Sequence, residues 1–228
     1  MTNKAVALAL LAPLTLALGA GQRDNVKPLS RPSVTVAAEA LVPVQNGTAR
    51  FVVAPTGNEA RYRVQEKIVG VDIPNYEAIG KTQAITGAIV FDQAGRIVPA
   101  QSKITIDVTG LKSDQERRDG AVQRRILETE KHPHVVLVPT AIRGLTGPLP
   151  KSGTKTFQLI GNLTVRGVTK PTTWNVTAQF QGGRVTGTAV TEFTFADFNM
   201  QKPSVPVVLS LADQLKLEYT FTLAQSAS

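Results

Sequence analysis

Few side chains in this chain have the type and spacing for chemistry, and each can be weighed against what that chemistry needs. His132 and His134, the only histidines, flank Pro133. Alternate residues of a strand share a face, so an H-P-H step could offer two metal ligands. There is no cysteine and no further histidine to complete a ligand set, and Pro133 fits a loop entering a strand. Ser113 would need a strained turn and an oxyanion hole to act as a nucleophile, but no G-x-S-x-G occurs. No Walker loop and no G-x-G-x-x-G is present either. Ser113 is better read as a helix N-cap, with Glu116 completing a Ser-x-x-Glu capping box. Asp119, just before Gly120, reads as the partner of Arg118 in a pair that pins the helix rather than as a general acid or base. No catalytic, metal or cofactor constellation emerges, so the chain is read as a non-enzyme that carries no cofactor.

Arg117, Arg118, Arg124, Arg125 and Lys131 fall close together, interleaved with Glu116, Asp119, Glu128 and Glu130. Such cations could hold a phosphate or other head group, with Arg117, Arg118 and Arg124 as the candidates. The acids offset most of that charge, which favours a solvated helix face laced with ion pairs three and four residues apart.

The elements that would position these groups are mostly strands. Ile85, Gly87, Ile89 and Phe91 alternate, as do Ile104, Ile106 and Val108, and then Leu215, Leu217, Tyr219, Phe221 and Leu223. Further strands are expected over 34–41, 49–54, 61–68, 135–142, 156–165, 174–180 and 185–195, joined by turns, with an irregular stretch from 69 to 80 around Pro74. One helix is expected over 113–129, weakened at Gly120. This pattern predicts an all-β fold, an antiparallel β-barrel or sandwich of roughly eight to ten strands. Its apolar faces would gather Ile89, Phe91, Ile104, Ile106, Val108, Phe157, Leu159, Trp174, Phe193 and Phe195 inside. Val185, Gly187 and Ala189 share a face with the phenylalanines and suggest unfilled volume, although a packed core has the same pattern.

Residues 1–20 carry Lys4, an apolar run and small residues at Gly19 and Ala20, the form of a cleaved signal peptide. The expected organisation is a signal over 1–20, a flexible lead-in over 21–33 and one domain over 34–224. Its core spans 61–223, with the hairpin 34–54 as an addition. Export points to the periplasm or the exterior. The net charge is +8. In an exported protein that charge suits anionic membrane surfaces or acidic polymers, and nucleic acid is not expected as a partner.

Two segments go further: residues 111–119 (LKSDQERRD) and 163–171 (LTVRGVTKP). With Lys131-His132-Pro133, Gly161 and Asp197-Phe198 they resemble the signature of the YceI-like family, over roughly 61–223. The resemblance implies a lipocalin-like barrel holding a polyisoprenoid, quinone or other long-chain amphiphile in the periplasm. The competing expectation is a structural or interaction module of the envelope with a solid core. A homodimer is compatible with either. The chain departs from the family pattern at Tyr62–Glu66, where a histidine is common, in the hairpin 34–54 and in the long loop 144–153.

Overall fold

The computed structural model describes residues 47–68, 76–203 and 208–226, which belong to one compact unit, Val42–Ser228. The expected signal, lead-in and first hairpin arm lie outside the described residues.

Among the described residues eleven strands form one antiparallel sheet that closes on itself: β1 (Ala49–Val53), β2 (Glu59–Ile68), β3 (Tyr76–Thr82), β4 (Ile85–Phe91), β5 (Lys103–Asp107), β6 (His134–Arg143), β7 (Ser152–Val165), β8 (Val168–Gln181), β9 (Arg184–Thr194), β10 (Val208–Leu211) and β11 (Gln214–Gln225). The closed ring runs β1-β4-β5-β6-β7-β8-β9-β11 and back to β1. It is an eight-stranded barrel, which resolves the barrel-or-sandwich reading of the alternation in favour of the barrel that the resemblance implies.

Three wall positions are built from two strands end to end. β11 pairs with β9 along its length from Gln214 to Ala224. Its other edge takes β1 at Leu223–Gln225 and β2 at Lys216–Thr220. β2 continues against β10, and β3 lies on the outer edge of β2 just ahead of β4. The second arm of the expected hairpin, Ala49–Val53, is therefore part of the wall, paired to β4 and β11. The stretch expected to be irregular up to Gly80 contains β3 from Tyr76; residues 69–75 lie outside the described residues. Gly80 is needed there because the Tyr62 ring packs on it, 2.2 Å from where a Cβ would stand.

The helix is shorter than its sequence pattern. α1 spans Glu116–Ala121 and continues as a π-helical turn over Val122–Leu127. Ser113 does not cap it: its backbone N–H and hydroxyl both donate to Asp119 Oδ1, at 2.7 and 2.6 Å. An aspartate carboxylate buried to 5% exposure outcompetes the helix terminus for that serine. Ile126 is buried, with Val122 and Leu127 beside it, closing one end of the barrel.

The segment 163–171 becomes a hairpin. Arg166 (φ 50°) and Gly167 (φ 74°) form a two-residue turn between Val165 and Val168, which face each other in register. Two consecutive positive φ values match the twist of the flanking strands, and glycine at the second supplies one without strain. Asp197-Phe198 lies in a 3-10 turn, Phe195–Phe198, whose capping box joins Thr194 and Asp197 while Phe198 is fully buried.

Candidate functional site

Inward-facing residues do not fill the barrel. Two apolar cavities lie along its axis. The larger, of about 140 Å³, sits under the helical end and is lined by Ile106, Val108, Trp174, Phe193 and Phe195 among others. The smaller, of about 60 Å³, lies toward the opposite end and is lined by Ile89, Phe91, Ile104, Phe157 and Leu159 among others. Each expected lining residue thus faces one of the two. Tyr219 lines both and stands where one cavity gives way to the next. The volume expected beside Gly187 is occupied: the Phe221 ring comes within 2.8 Å of where a Cβ would stand.

Tyr219 is fixed in that place. Its hydroxyl donates to Asn58 Oδ1 at 3.1 Å, and the same oxygen accepts from the Thr222 N–H at 3.0 Å. Asn58 Nδ2 donates to the Ala54 carbonyl at 2.7 Å. The amide thereby closes the gap between β1 and β2, and it is buried. Burial pushes the Tyr219 hydroxyl well above the ordinary phenol range. Trp174 is likewise satisfied, its Nε1 donating to Thr172 Oγ1 at 2.9 Å. Among the described residues no buried side-chain donor is left unpaired.

Polar groups collect at the helical end of the larger cavity, where Tyr62, Glu66 and Arg118 reach its lining. Arg118 donates to Glu66 Oε2 at 3.2 Å and pairs with Asp114. Tyr76 donates to Asp114 Oδ2 at 3.1 Å. Asp119 lies close by, but Arg118 does not pair with it as the sequence suggested. Asp119 Oδ2 accepts no hydrogen bond among the described residues, and Lys112 Nζ lies 4.0 Å away. Burial, the largest cause, together with the carboxylates of Asp119, Glu66 and Asp114, pushes the Tyr62 hydroxyl up to about 12, with Arg118 acting the other way. Against a burial effect that raises it, hydrogen bonds from Arg118 and Tyr76 hold the Asp114 carboxyl below its ordinary value. Arg117 and Arg124 are exposed, contribute nothing to the cavity lining and make no ion pair among the described residues. Of the three head-group candidates only Arg118 reaches the cavity, and its charge is already met by two carboxylates.

His132 packs its ring against Gly167, and His134 is exposed at the start of β6. Among the described residues no group of histidine, aspartate or glutamate is arranged to hold a metal. Tyr62, Glu66 and Tyr219 line the cavities and are not among the site residues that the sequence singles out. The period-2 pattern of 60–66 places Tyr62 and Glu66 inward, but a glutamate in an apolar row reads as an outward residue until its partner across the chain is known.

A family model described as a YceI-like domain matches residues 51–223. A UPF0312 protein of Pseudomonas putida (strain GB-1) is 32% identical over 114 residues, which are 46% of this chain and 56% of that protein. This chain thus spans little more than half the length of the relatives it matches. Among solved structures, a polyisoprenoid binding domain from Saccharophagus degradans implicated in plant cell wall breakdown superposes with a TM-score of 0.61 at 11% identity, covering 77% of this chain and 98% of that one. Burkholderia cenocepacia BcnA gives a TM-score of 0.52 at 18% identity, covering 72% and 95%. At such identities the likeness is one of fold.

Proposed function

The chain belongs to the YceI-like domain family, and from that premise we propose that it is an exported, non-enzymatic carrier of a polyisoprenoid or similar long-chain amphiphile. The observation that carries this reading is the pair of apolar cavities in series along the barrel axis, with Tyr219 between them. A linear chain entering at the helical end would meet Trp174 and Phe193 first and Phe91 and Phe157 last. Each buried CH₂ contributes about 0.8 kcal/mol, so affinity grows with chain length and needs few polar contacts. A solid-cored envelope module has no use for this space.

The mouth favours a neutral head over a diphosphate. Arg118 faces Glu66 and Asp114, with Asp119 alongside, so carboxylates outnumber the guanidinium. A diphosphate there would meet net repulsion, whereas a quinone or alcohol can exchange hydrogen bonds with Tyr62 and Arg118. Export itself, read from residues 1–20, is part of the proposal. Organic extraction of purified protein followed by mass spectrometry tests it: a co-purifying prenyl lipid with a neutral head is expected. Protein that carries no lipid and takes up none from prenol or quinone suspensions would overturn the reading.

A further inference from the structure

We propose that the end of the barrel opposite the helix docks on an anionic lipid bilayer, with the smaller cavity facing the membrane. The charge of this molecule is segregated along the barrel axis. No aspartate or glutamate occurs between Glu130 and Glu192, the tract that supplies β6, β7, β8 and most of β9. Strand register gathers its cations at one end. Arg143 closes β6 opposite Gln158, Ser152 at the start of β7 faces Gln181, and Gln181 faces Arg184. Arg184 faces Ala224 of β11, whose neighbour Gln225 faces Phe51 of β1, next to Arg50. Arg50, Arg143, Lys151, Lys155 and Arg184 are all exposed and make no ion pair among the described residues. The one described carboxylate at this end, Asp92, is taken by Arg96 at 2.8 Å. At the helical end, by contrast, the cations Arg117, Arg124 and Arg125 are interleaved with the carboxylates of Glu116, Asp119, Glu128 and Glu130.

The basic rim surrounds an apolar opening. The loop 144–151 crosses the barrel end, and its Leu145 and Leu149 line the smaller cavity from outside the strands. The loop rests on the Asp92–Arg96 turn, where a Cβ on Gly95 would stand 2.3 Å from the Gly147 carbonyl oxygen. Among the described residues, Leu145 and Leu149 of this loop are the apolar cover that the barrel end lays over the smaller cavity. A ring of unpaired cations around a thin apolar cover matches the chemistry of an anionic bilayer, with charge outside and hydrocarbon inside. An acidic polymer would use the cations but leaves the leucines and the cavity behind them without a role. The inference takes the lipid-carrier reading as its premise and adds which end of the barrel is held at the bilayer.

The test is co-sedimentation of the folded chain with vesicles of pure phosphatidylcholine and of phosphatidylcholine mixed with phosphatidylglycerol. Binding to the mixed vesicles alone is expected, weakening as salt is raised. Each cation near such a surface is worth about fivefold, so Arg143→Glu/Lys155→Glu/Arg184→Glu should lose about 100-fold or more. Arg125→Glu/Lys170→Glu/Lys202→Glu, an equal change of net charge at the helical end, should retain most of the binding. Circular dichroism confirms that both variants fold. Equal loss from the two variants, no binding to mixed vesicles, or preference for heparin over them would overturn the proposal. Lipid found on extraction without vesicle binding refutes docking alone; vesicle binding by a chain that takes up no lipid refutes the carrier reading alone.

Discussion

Arg166 and Glu128 form an ion pair in which both residues have left-handed backbone, with φ 50° each. The Arg166 guanidinium also donates to the Asn199 carbonyl at 2.8 Å, and Asn199 has φ 53°. These are the three described non-glycine residues with positive φ, and one side chain joins them. Arg166 sits in the β7–β8 turn, Glu128 ends the helical segment and Asn199 ends the 3-10 turn. Three pieces of the barrel's helical end are thereby fastened at one point.

Replacing that arginine separates fastening from turn geometry. Asparagine before glycine is a favoured occupant of such a turn, so Arg166→Asn should leave the hairpin intact. The pair is partly exposed, and its loss should cost no more than about 1 kcal/mol in urea unfolding. Release of bound lipid, followed by the fluorescence of Trp174, the single tryptophan, should be faster. An unchanged release rate would mean that the lipid does not leave past this fastened end.

Asn58 and Tyr219 should differ in their response to truncation. Tyr219→Phe removes one donor while Asn58 Oδ1 keeps its bond from Thr222, so a loss near 1 kcal/mol is expected. Asn58→Ala leaves the tyrosine hydroxyl and the Thr222 N–H both without that partner, and about 3 kcal/mol should be lost. Equal losses would mean that the amide does not bridge β1 and β2 in solution.

Alkaline stability follows from the two buried phenols. Burial raises both Tyr62, to about 12, and Tyr219. The unfolded chain releases these protons near pH 10, while the folded one retains them. Stability from this source is therefore whole below about pH 10 and falls as pH rises through the folded values. Unfolding midpoints measured across that window should decline, and Tyr62→Phe/Tyr219→Phe should decline less steeply. Parallel slopes would show that other groups govern the alkaline limb.

Arg118→Met would leave the Glu66 carboxylate, at 9% exposure, without its cation, and a loss of about 3 kcal/mol is expected. Adding Glu66→Met should recover most of it, because the charge is then removed as a pair. The double variant should still bind a neutral prenol or quinone, with affinity read from Trp174 emission. Loss of binding by that variant when folded would return the head-group role to the arginine charge.

Ala189 lines the smaller cavity, so Ala189→Phe should fill it and leave the larger one open. Short prenols should bind as before, while the gain in affinity from added isoprene units should stop earlier. A uniform loss across the series would mean that the two cavities are not filled in sequence.

The strand faces were legible because period-2 alternation survives wherever one side is buried, as in Leu215 to Leu223 and Ile104 to Val108. The helical segment is shorter than the 113–129 that its local pattern predicts. The Ser-x-x-Glu spacing is a local signal, whereas Ser113 bonds to Asp119, whose buried carboxylate only the tertiary fold creates. β10 escaped notice because Val208–Leu211 is short and follows Pro203 and Pro206. The basic end was hidden for a different reason. Its cations are spread from Arg50 to Arg184 and meet only through strand register, which no local window contains.

The seam at β11 orders the events of folding. β11 is the last described strand, yet it must receive β1 and β2, the first two, along one edge and β9 along the other. Until it arrives, β9 and β1 both present open edges, and the cavities have no fourth wall. Contacts of such long sequence separation form slowly, so closure is expected late, after the hairpins β6 to β9 have formed. A chain cut before Gln214 would not be a slightly smaller barrel; it would be an open, sticky sheet, a substrate for chaperones and proteases.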